Sequence, residues 1–532
     1  MDLRALFRAV GGARKVADAP RRRSRWRAPA MALPALLFVL SWATASPAAA
    51  AEKLLQISSD PYTVAPGQHK TEVEPDTFAF GSTIVSTFQV GRIFDGGATN
   101  VGFATSVDAG KTWTEGFLPA STIAAKPPGS FGRGSDASVA FDAKHKVWVI
   151  SWLGIPVTFP NPPRVDVLVS RSTNGLSWGN PVVVNASGHF NDKNWTVCDD
   201  TASSPHFGNC YTEFDDASQN DLELMSTSID GGLTWGPGLP TADGAHGIGG
   251  QPLVQPNGNV VVPYIGLDSP FFLFTISSFR STNGGGSWSA STLVSEADFH
   301  QPAGNIRAGI PLPTAEIDRS GRIYVVWSDC RFRASCATSD LVLSTSDDGL
   351  SWTPVKRIPI DPIRSTVDHF VPGVAVDRST SGARAHLALA YYFYPVANCT
   401  EATCQLKVGF VSSVNGGRTW NTAETLAGPM SVDWLPETSQ GRMFGDYIST
   451  SIVPGSEKAN PVFAVARPPT GGALCAAGPP PSRHCDVAMF TTANEQVRVL
   501  GGNQSGESDP VLAQSPHAGT ASPSARRAPT SF

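Results

Sequence analysis

Beyond residue 44, this 532-residue chain has no apolar run of the roughly twenty residues that a membrane-spanning helix needs. Charge is sparse: Asp, Glu, Lys and Arg make up 16% of the residues, and the formal net charge is −5. That faintly acidic balance argues against a general nucleic-acid binder, which needs a basic face. No two of the eight cysteines have C-x-x-C spacing, and no histidine cluster accompanies them. A structural zinc site, and with it any expected metal or other cofactor, is therefore disfavoured. Glycine and proline are abundant instead, at 51 and 43 residues, as in a turn-rich all-β fold.

The first fifty residues stand apart from the rest. Arg21, Arg22, Arg23, Arg25 and Arg27 form a basic stretch, and residues 31–44 are mostly apolar. Ala48, Ala49 and Ala50 then give an A-x-A-like cleavage site. This pattern predicts a signal peptide over 1–50 and a secreted, periplasmic or cell-envelope protein with no stable membrane span after its removal. An uncleaved anchor is the alternative. In an exported chain the locally paired cysteines read as disulfides: Cys198 with Cys210, Cys330 with Cys336, Cys399 with Cys404, and Cys475 with Cys485. Past residue 501 the composition shifts to Ser, Ala, Pro, Gly and Arg without apolar periodicity. The expectation for 502–532, and for 504 onward in particular, is a disordered tail.

Between these ends one short pattern recurs: Ser/Thr-x-Asp/Asn-x-Gly-x-Thr/Ser-Trp. Its first copy holds Ser106, Asp108, Gly110, Thr112 and Trp113. Further copies end at Trp235, Trp288, Trp352 and Trp420, and a degenerate one at Trp178 has Thr173 at the position of the acid. Successive tryptophans are 53 to 68 residues apart, a spacing that marks a repeat architecture. The Asp or Asn accepts hydrogen bonds from backbone N–H groups just ahead of it, glycine supplies a positive φ, and tryptophan buries a large ring. Each copy is therefore a tight turn between two strands.

This pattern resembles the Asp-box, or BNR repeat, of sialidases and related β-propellers, over roughly residues 51–501. The resemblance implies a single all-β propeller of four-stranded blades. Alternation and β-branched content place strands at 137–142, 147–153, 165–169 and 181–184 in the second unit. In the fifth unit they fall at 314–318, 323–328, 341–344 and 354–358. The first unit begins at 78–81, and a seventh unit without a box uses 446–451, 462–466 and 486–491. Its missing strand is expected from 54–58, which would close the fold end to end and remove an open edge. The count gives seven blades, with six, as in sialidases, the alternative.

In such a fold the loops opposite the Asp-box turns build the mouth where ligands bind. Cys198 and Cys210 would tie the first two strands of blade three, and the other three disulfides would brace mouth loops of blades five, six and seven. The resemblance implies an arginine clamp for a sugar carboxylate, a tyrosine nucleophile, and an aspartate as acid/base. Arg92, Arg307 and Arg442 are the candidate clamp. Gly91, Arg92, Ile93 and Phe94 are a partial echo of the Phe/Tyr-Arg-Ile-Pro segment that carries the first sialidase arginine. Tyr447 is the candidate nucleophile, Asp136 the acid/base, and Glu213 or Asp446 the group that activates the tyrosine. Lys193, Asp368 and His369 complete the candidate mouth. Plainer roles stand beside these: Arg92 paired with Asp95, Lys193 paired with Asp192, Asp136 capping a strand entry, and Tyr447 as channel packing.

Three functions fit this pattern. One is a secreted, monomeric glycoside hydrolase of exo-sialidase type acting on exposed glycans. Another is a non-catalytic propeller that binds a glycan or a protein at the same mouth. The third is a hydrolase of a neutral glycan that uses paired aspartates, Asp136 and Asp368 first among them. Three guanidinium groups at one point favour an acidic sugar, and two carboxyls about 5–10 Å apart favour a neutral one.

Overall fold

The computed structural model describes residues 54–158, 163–267, 274–298, 300–469, 475, 485–493 and 497–507. The expected signal peptide lies outside the described residues, as does most of the expected tail. Among the described residues the regular structure is antiparallel strand plus four short 3-10 turns. No helix among them is long and apolar enough to cross a membrane.

The strands form meanders that follow one another along the chain. The first sheet pairs Glu72–Phe80, Thr83–Arg92, Ala98–Ser106 and Thr114–Phe117. The second pairs Phe131–Asp142, Val147–Pro156, Asp166–Ser172 and Val182–Asn185. A single bridge, Ala98 to Gly134, joins these two. The third sheet runs Asn191–Cys198, Cys210–Asp216, Leu222–Ser228 and Leu239–Pro240. In the fourth, the first strand is split into Gly247–Ile248 and Leu253–Val254, followed by Val260–Gly266, Phe274–Ser281 and Thr292–Ala297. The fifth comprises Thr314–Ile317, Ile323–Asp329, Asp340–Ser346 and Lys356–Arg357. The sixth comprises Asp368–Val376, Leu387–Tyr394, Gln405–Ser413 and Glu424–Ser431. In the last, Ser449–Ile452, Lys458–Ala466 and Val487–Thr492 are completed by Leu54–Gln56. Leu54 sits opposite Thr492, so the first described strand closes the last sheet, as the sequence led us to expect.

Apolar side chains fill the spaces between neighbouring sheets. Val85, Val101 and Phe103 of the first sheet pack on Trp148, Ile150 and Trp152 of the second. Ile265 and Ile276 of the fourth meet Val325 and Trp327 of the fifth. Burying one such side chain stabilises the fold by about 1.5–3 kcal/mol.

The recurrent motif forms the expected turn after the third strand. Asp108 accepts the Lys111 and Thr112 N–H groups at 3.1 and 2.9 Å, and Ser106 Oγ accepts Gly110 N–H at 2.8 Å. Asp230, Asn283 and Asn415 repeat this geometry. Two copies differ from the sequence reading. At Trp178 the acceptor is Asn174, bonded by Leu176 and Ser177, so Thr173 replaces nothing. At Trp352 it is Asp348, not Asp347. These two turns are one residue shorter. The longer form places two residues in left-handed conformation, Ala109 (φ 60°) and Gly110 (φ 85°), whereas the shorter needs only Gly175 (φ 70°) or Gly349 (φ 72°).

All four cysteine pairs are disulfides, with Cα–Cα distances of 4.0 to 5.0 Å. Cys198 and Cys210 face each other across the first two strands of the third sheet. The other three lie in connections between second and third strands. Cys330 is bonded to Cys336 in the fifth sheet, Cys399 to Cys404 in the sixth, and Cys475 to Cys485 in the last. Residues 502–507 depart from the expected tail. Trp420 N–H donates to Gln504 O at 2.9 Å, and Arg357 N–H to Glu507 O at 3.0 Å, which fastens this stretch along the outer strands of the fifth and sixth sheets.

A cavity with about 490 Å³ of open space is lined by the first strand of every sheet, through Thr77, Val139, Thr196, Leu253, Thr314, Val374 and Ser449. A second space of about 420 Å³ adjoins it. Trp195, Gln251 and Thr314 line both.

Candidate functional site

The second space lies at the start of the first strands. Register places that end opposite the recurrent turns: in the first sheet Arg92 faces Ala98 at one end, while Ile84 faces Ser106 at the other. Lys193, Trp195, Gly250, Leu312, Pro372, Asp446 and Tyr447 line the opening.

One backbone device recurs at this end of the first strands, and two of its residues, Lys193 and Val371, line the opening. The first strands of the first, second, third and sixth sheets each slip register near their start, between Val73 and Asp76, Ser135 and Ser138, Asp192 and Trp195, and Phe370 and Pro372. Each slip is a β-bulge with one non-glycine residue at positive φ: Glu74 (58°), Asp136 (44°), Lys193 (43°) and Val371 (47°). Positive φ costs energy for any of these residues, most of all for β-branched valine, and such strain gathers at functional sites. Ahead of the last sheet, Gly445 (φ 136°) supplies the bend, because a Cβ there would stand 2.9 Å from the Glu74 nitrogen. Asp446 follows directly.

The bulges bring three carboxylates around one ammonium. Lys193 Nζ lies 2.6 Å from Asp446 Oδ2, 3.4 Å from Glu74 Oε1 and 3.9 Å from Asp136 Oδ1. Arg307 Nη2 also bonds Asp446 Oδ2. The Asp446 N–H donates to Glu74 Oε1 at 3.2 Å. Gln89 Nε2 donates to Glu74 Oε2 and, at 3.3 Å, to Asp136 Oδ1.

Charge states diverge within this group. Burial pushes the Glu74 carboxyl up to about 8 against the pull of Lys193, and raises Asp136 in the same way. Two carboxyls in such contact titrate as a pair. Burial also acts on Asp446, but Arg307 and Lys193 outweigh it and hold that carboxyl far below the usual range. Lys193 and Arg307 are in turn raised, their acidic neighbours overcoming desolvation. Tyr447 is buried, its hydroxyl has no hydrogen-bond partner among the described residues, and burial with Glu74 beside it lifts its pKa well above the ordinary value. Its ring lies 5.3 Å from Lys193 Nζ and edge-on to Trp195 at 5.2 Å.

Of the sequence candidates, Asp136, Lys193, Arg307, Asp446 and Tyr447 therefore meet. Arg92 stands just behind them. Its Nη1 bonds Gln89 Oε1 and Gly97 O, both at 3.0 Å, and burial with Arg307 nearby lowers its pKa. The plainer pairings fail at two positions: Asp95 pairs with Arg133 at 2.6 Å, not with Arg92, and Lys193 reaches Asp446 rather than Asp192.

Four candidates fall elsewhere. The Arg442 guanidinium is taken by Glu401 at 2.9 Å and by the carbonyls of Leu435 and Cys475. Its backbone brackets the arginine that does reach the mouth, donating to Asn305 O and accepting from Arg307 N–H. Glu213 lies one strand back in the third sheet, and its nearest acidic partner is Glu223 rather than Tyr447. Asp368 accepts from Ser339 N–H at 2.7 Å and meets His300 at 3.4 Å. His369 is buried against Tyr391 and Phe393, where burial lowers its pKa.

Sequence reasoning missed Glu74 and Gln89. A strand drawn from residue 78 begins six residues late, because Pro75 and two acids interrupt the β pattern where the strand bulges. Among the described residues, Asp340, Asp361 and His369 come close enough together to suggest a cation site. Arg333 and Arg357 already occupy both of those carboxylates.

No protein-family model matches the chain, and no curated protein matches it. Among solved structures it is similar to a Dyadobacter fermentans protein of unknown function, at 15% identity over 69% of this chain and 99% of that one, with a TM-score of 0.44. It is likewise similar to an ulvan lyase, a polysaccharide lyase, at 10% identity over 83% of this chain and 96% of that one, TM-score 0.49. For a Trypanosoma rangeli sialidase solved with the inhibitor DANA the values are 15%, 68%, 58% and 0.41.

Proposed function

We propose that the sheets are the blades of one seven-bladed β-propeller with Asp-box turns, and that the chain is an exported glycosidase acting at the mouth opposite those turns. The lining of a single channel by the first strand of every sheet supports the blade count. One observation carries the chemistry: a carboxyl pair that retains a proton, Glu74 and Asp136, stands beside a carboxylate kept ionised, Asp446, around one ammonium. Environments that push neighbouring acids apart in this way assign a proton donor and a fixed negative charge. The pair would protonate the leaving oxygen of a glycosidic bond, and the Asp446 carboxylate, kept ionised by Lys193 and Arg307, would stabilise the positive charge that develops on the sugar.

The sialidase-type form of this reading is favoured by Tyr447, which lines the opening with Asp446 and whose buried hydroxyl has no hydrogen-bond partner among the described residues. There the tyrosine oxygen would attack the anomeric carbon, its proton passing to the ionised member of the Glu74–Asp136 pair as the bond to the protonated leaving oxygen breaks, and the cations would meet a sugar carboxylate. The four disulfides fit an oxidising compartment, with 1–50 as the signal peptide, a tail beyond 507 and a monomer as the working form. A panel of fluorogenic glycosides that includes a sialoside tests the reading. Asp136→Asn is expected to lower turnover at least a hundredfold on the cleaved member. Tyr447→Phe removes turnover only in the sialidase-type form. Binding of glycans with no cleavage of any member would leave a binding propeller instead.

A further inference from the structure

We propose that Gln89, oriented by Arg92, is a positioning residue that holds Glu74 and Asp136 together as one proton-sharing pair; this rests on reading the mouth as an acid–base site. Gln89 is fully buried on the second strand of the first sheet, three residues before Arg92. Its Nε2 donates to Glu74 Oε2, to Asp136 Oδ1 at 3.3 Å and to Ser135 Oγ at 3.2 Å. Its Oε1 accepts from Arg92 Nη1 at 3.0 Å.

A side-chain amide can face either way, and its neighbours decide which. Arg92 offers only donors, so the amide oxygen must turn toward it and the NH₂ toward the acids. The Arg92 guanidinium is itself anchored, since Nη1 also donates to Gly97 O at 3.0 Å, and its backbone is fixed by an N–H bond to Thr71 Oγ1 at 2.7 Å. Orientation thus passes from a loop to the guanidinium, then to the amide, then to the two carboxyls.

The consequence is a division of labour between the acids. Glu74 takes donors on both oxygens: Gln89 on Oε2, and Asp446 N–H with Lys193 on Oε1. Asp136 takes the Gln89 bond on Oδ1, with Lys193 at 3.9 Å from the same atom. The geometry leaves Asp136 Oδ2 as the oxygen free to carry the shared proton, and so to deliver it.

The test is a titration of the side-chain carboxyl ¹³C signals in the full-length wild type, Gln89→Met and Gln89→Asn. Methionine keeps the volume but offers no donor. The upper titration of the pair is expected to rise by about one pH unit or more, because N–H donors favour the charged form. Asparagine keeps the amide but withdraws it by one methylene, and is expected to move the titration the same way by less. It also serves as the readable variant where Gln89→Met does not fold. On a cleaved glycoside, the alkaline limb of kcat is expected to move with the titration while KM stays unchanged. An unchanged titration in the folded variants overturns the inference, whatever the hydrolysis. A shifted titration in a protein that cleaves no glycoside upholds the role of Gln89 and overturns the glycosidase reading.

Discussion

Glu213, Asp215 and Glu223 in the third sheet are at least as buried as Glu74, Asp136 and Asp446 at the mouth, yet the two groups live by different rules. The mouth acids surround Lys193, and Asp446 also holds Arg307. None of the described ion pairs reaches Glu213, Asp215 or Glu223. Their carboxyls are buried and meet one another instead, Glu213 against Glu223, with the Gly250 N–H beside Glu213. Between the second and third strands of the third sheet the register is unbroken, with Asp215 directly opposite Glu223. Burial raises all three, Glu223 to about 8, and the Glu223 charge raises both Glu213 and Asp215 further. At the mouth, bulges break the register, and acids and cations from separate sheets converge. Carboxylates are neutralised by protons in the first place and by cations in the second. Only the second arrangement can keep one acid ionised beside another that is not.

Removing the cation should make the two regions alike, with the largest effect. Lys193→Met strands Glu74 and Asp136 without their ammonium, and loss of one partner of a buried pair costs about 3–5 kcal/mol. Urea denaturation at pH 8 should show that loss. At pH 5, where the acids take up protons, the loss should shrink. An equal loss at both pH values would mean that Lys193 matters only for packing.

The third sheet should respond in the opposite sense. A carboxyl whose pKa is raised in the folded state binds its proton more tightly there than when unfolded. Its stabilising contribution is complete below the unfolded pKa of about 4.5 and is lost as pH rises through about 8. Wild-type Tm should therefore decline from pH 5 to pH 9. Glu223→Gln should flatten that decline, raising Tm by several degrees at pH 9 and leaving it nearly unchanged at pH 5. A parallel decline in the variant would place the titrating group elsewhere.

The smallest effect is expected at one of the recurrent turns. Asp108 is held down to about 2, first by the Thr112 hydroxyl, and this residue is half-buried. Asp108→Ala should cost about 1–2 kcal/mol through its lost backbone bonds, and lysine and arginine variants at the mouth should not alter that figure. Coupling between the two, measured as a double-mutant cycle with Lys193→Met, would show that turns and mouth are not independent.

These two faces were also unequally legible. The turns are local: each closes within eight residues through a side chain that bonds its own backbone, so sequence reveals them wherever they occur. The two misaligned copies, at Asn174 and Asp348, were misread because the shorter turn shifts the acceptor by one position. The disulfides were legible for the same reason, since Cys336, Cys404 and Cys485 each lie within ten residues of their partners. Strand order and the closing strand followed from counting sets of strands. The mouth was legible only in part. Asp136, Lys193 and Asp446 stand at strand entries, a placement that topology alone predicts. Arg442 stands at one as well, but the pairing of its connector with residues 305–307 turns its guanidinium away, and nothing in either segment announces that pairing. Glu74 escaped because a bulge is invisible to a period-two pattern. Whether a given acid carries a proton depends on cations hundreds of residues distant, as Asp446 depends on Lys193 and Arg307.

The strand at Leu54–Gln56, which completes the sheet of Val487–Thr492, bears on how the molecule is made. The ribosome delivers this segment more than four hundred residues ahead of its partner. Every sheet between can form as it emerges, since its strands are neighbours in the chain. The last sheet stays incomplete until Thr492 has emerged, with one unpaired strand waiting on one side and one raw edge on the other. Synthesis time, rather than the intrinsic speed of any hairpin, then sets how long those edges are exposed to other chains.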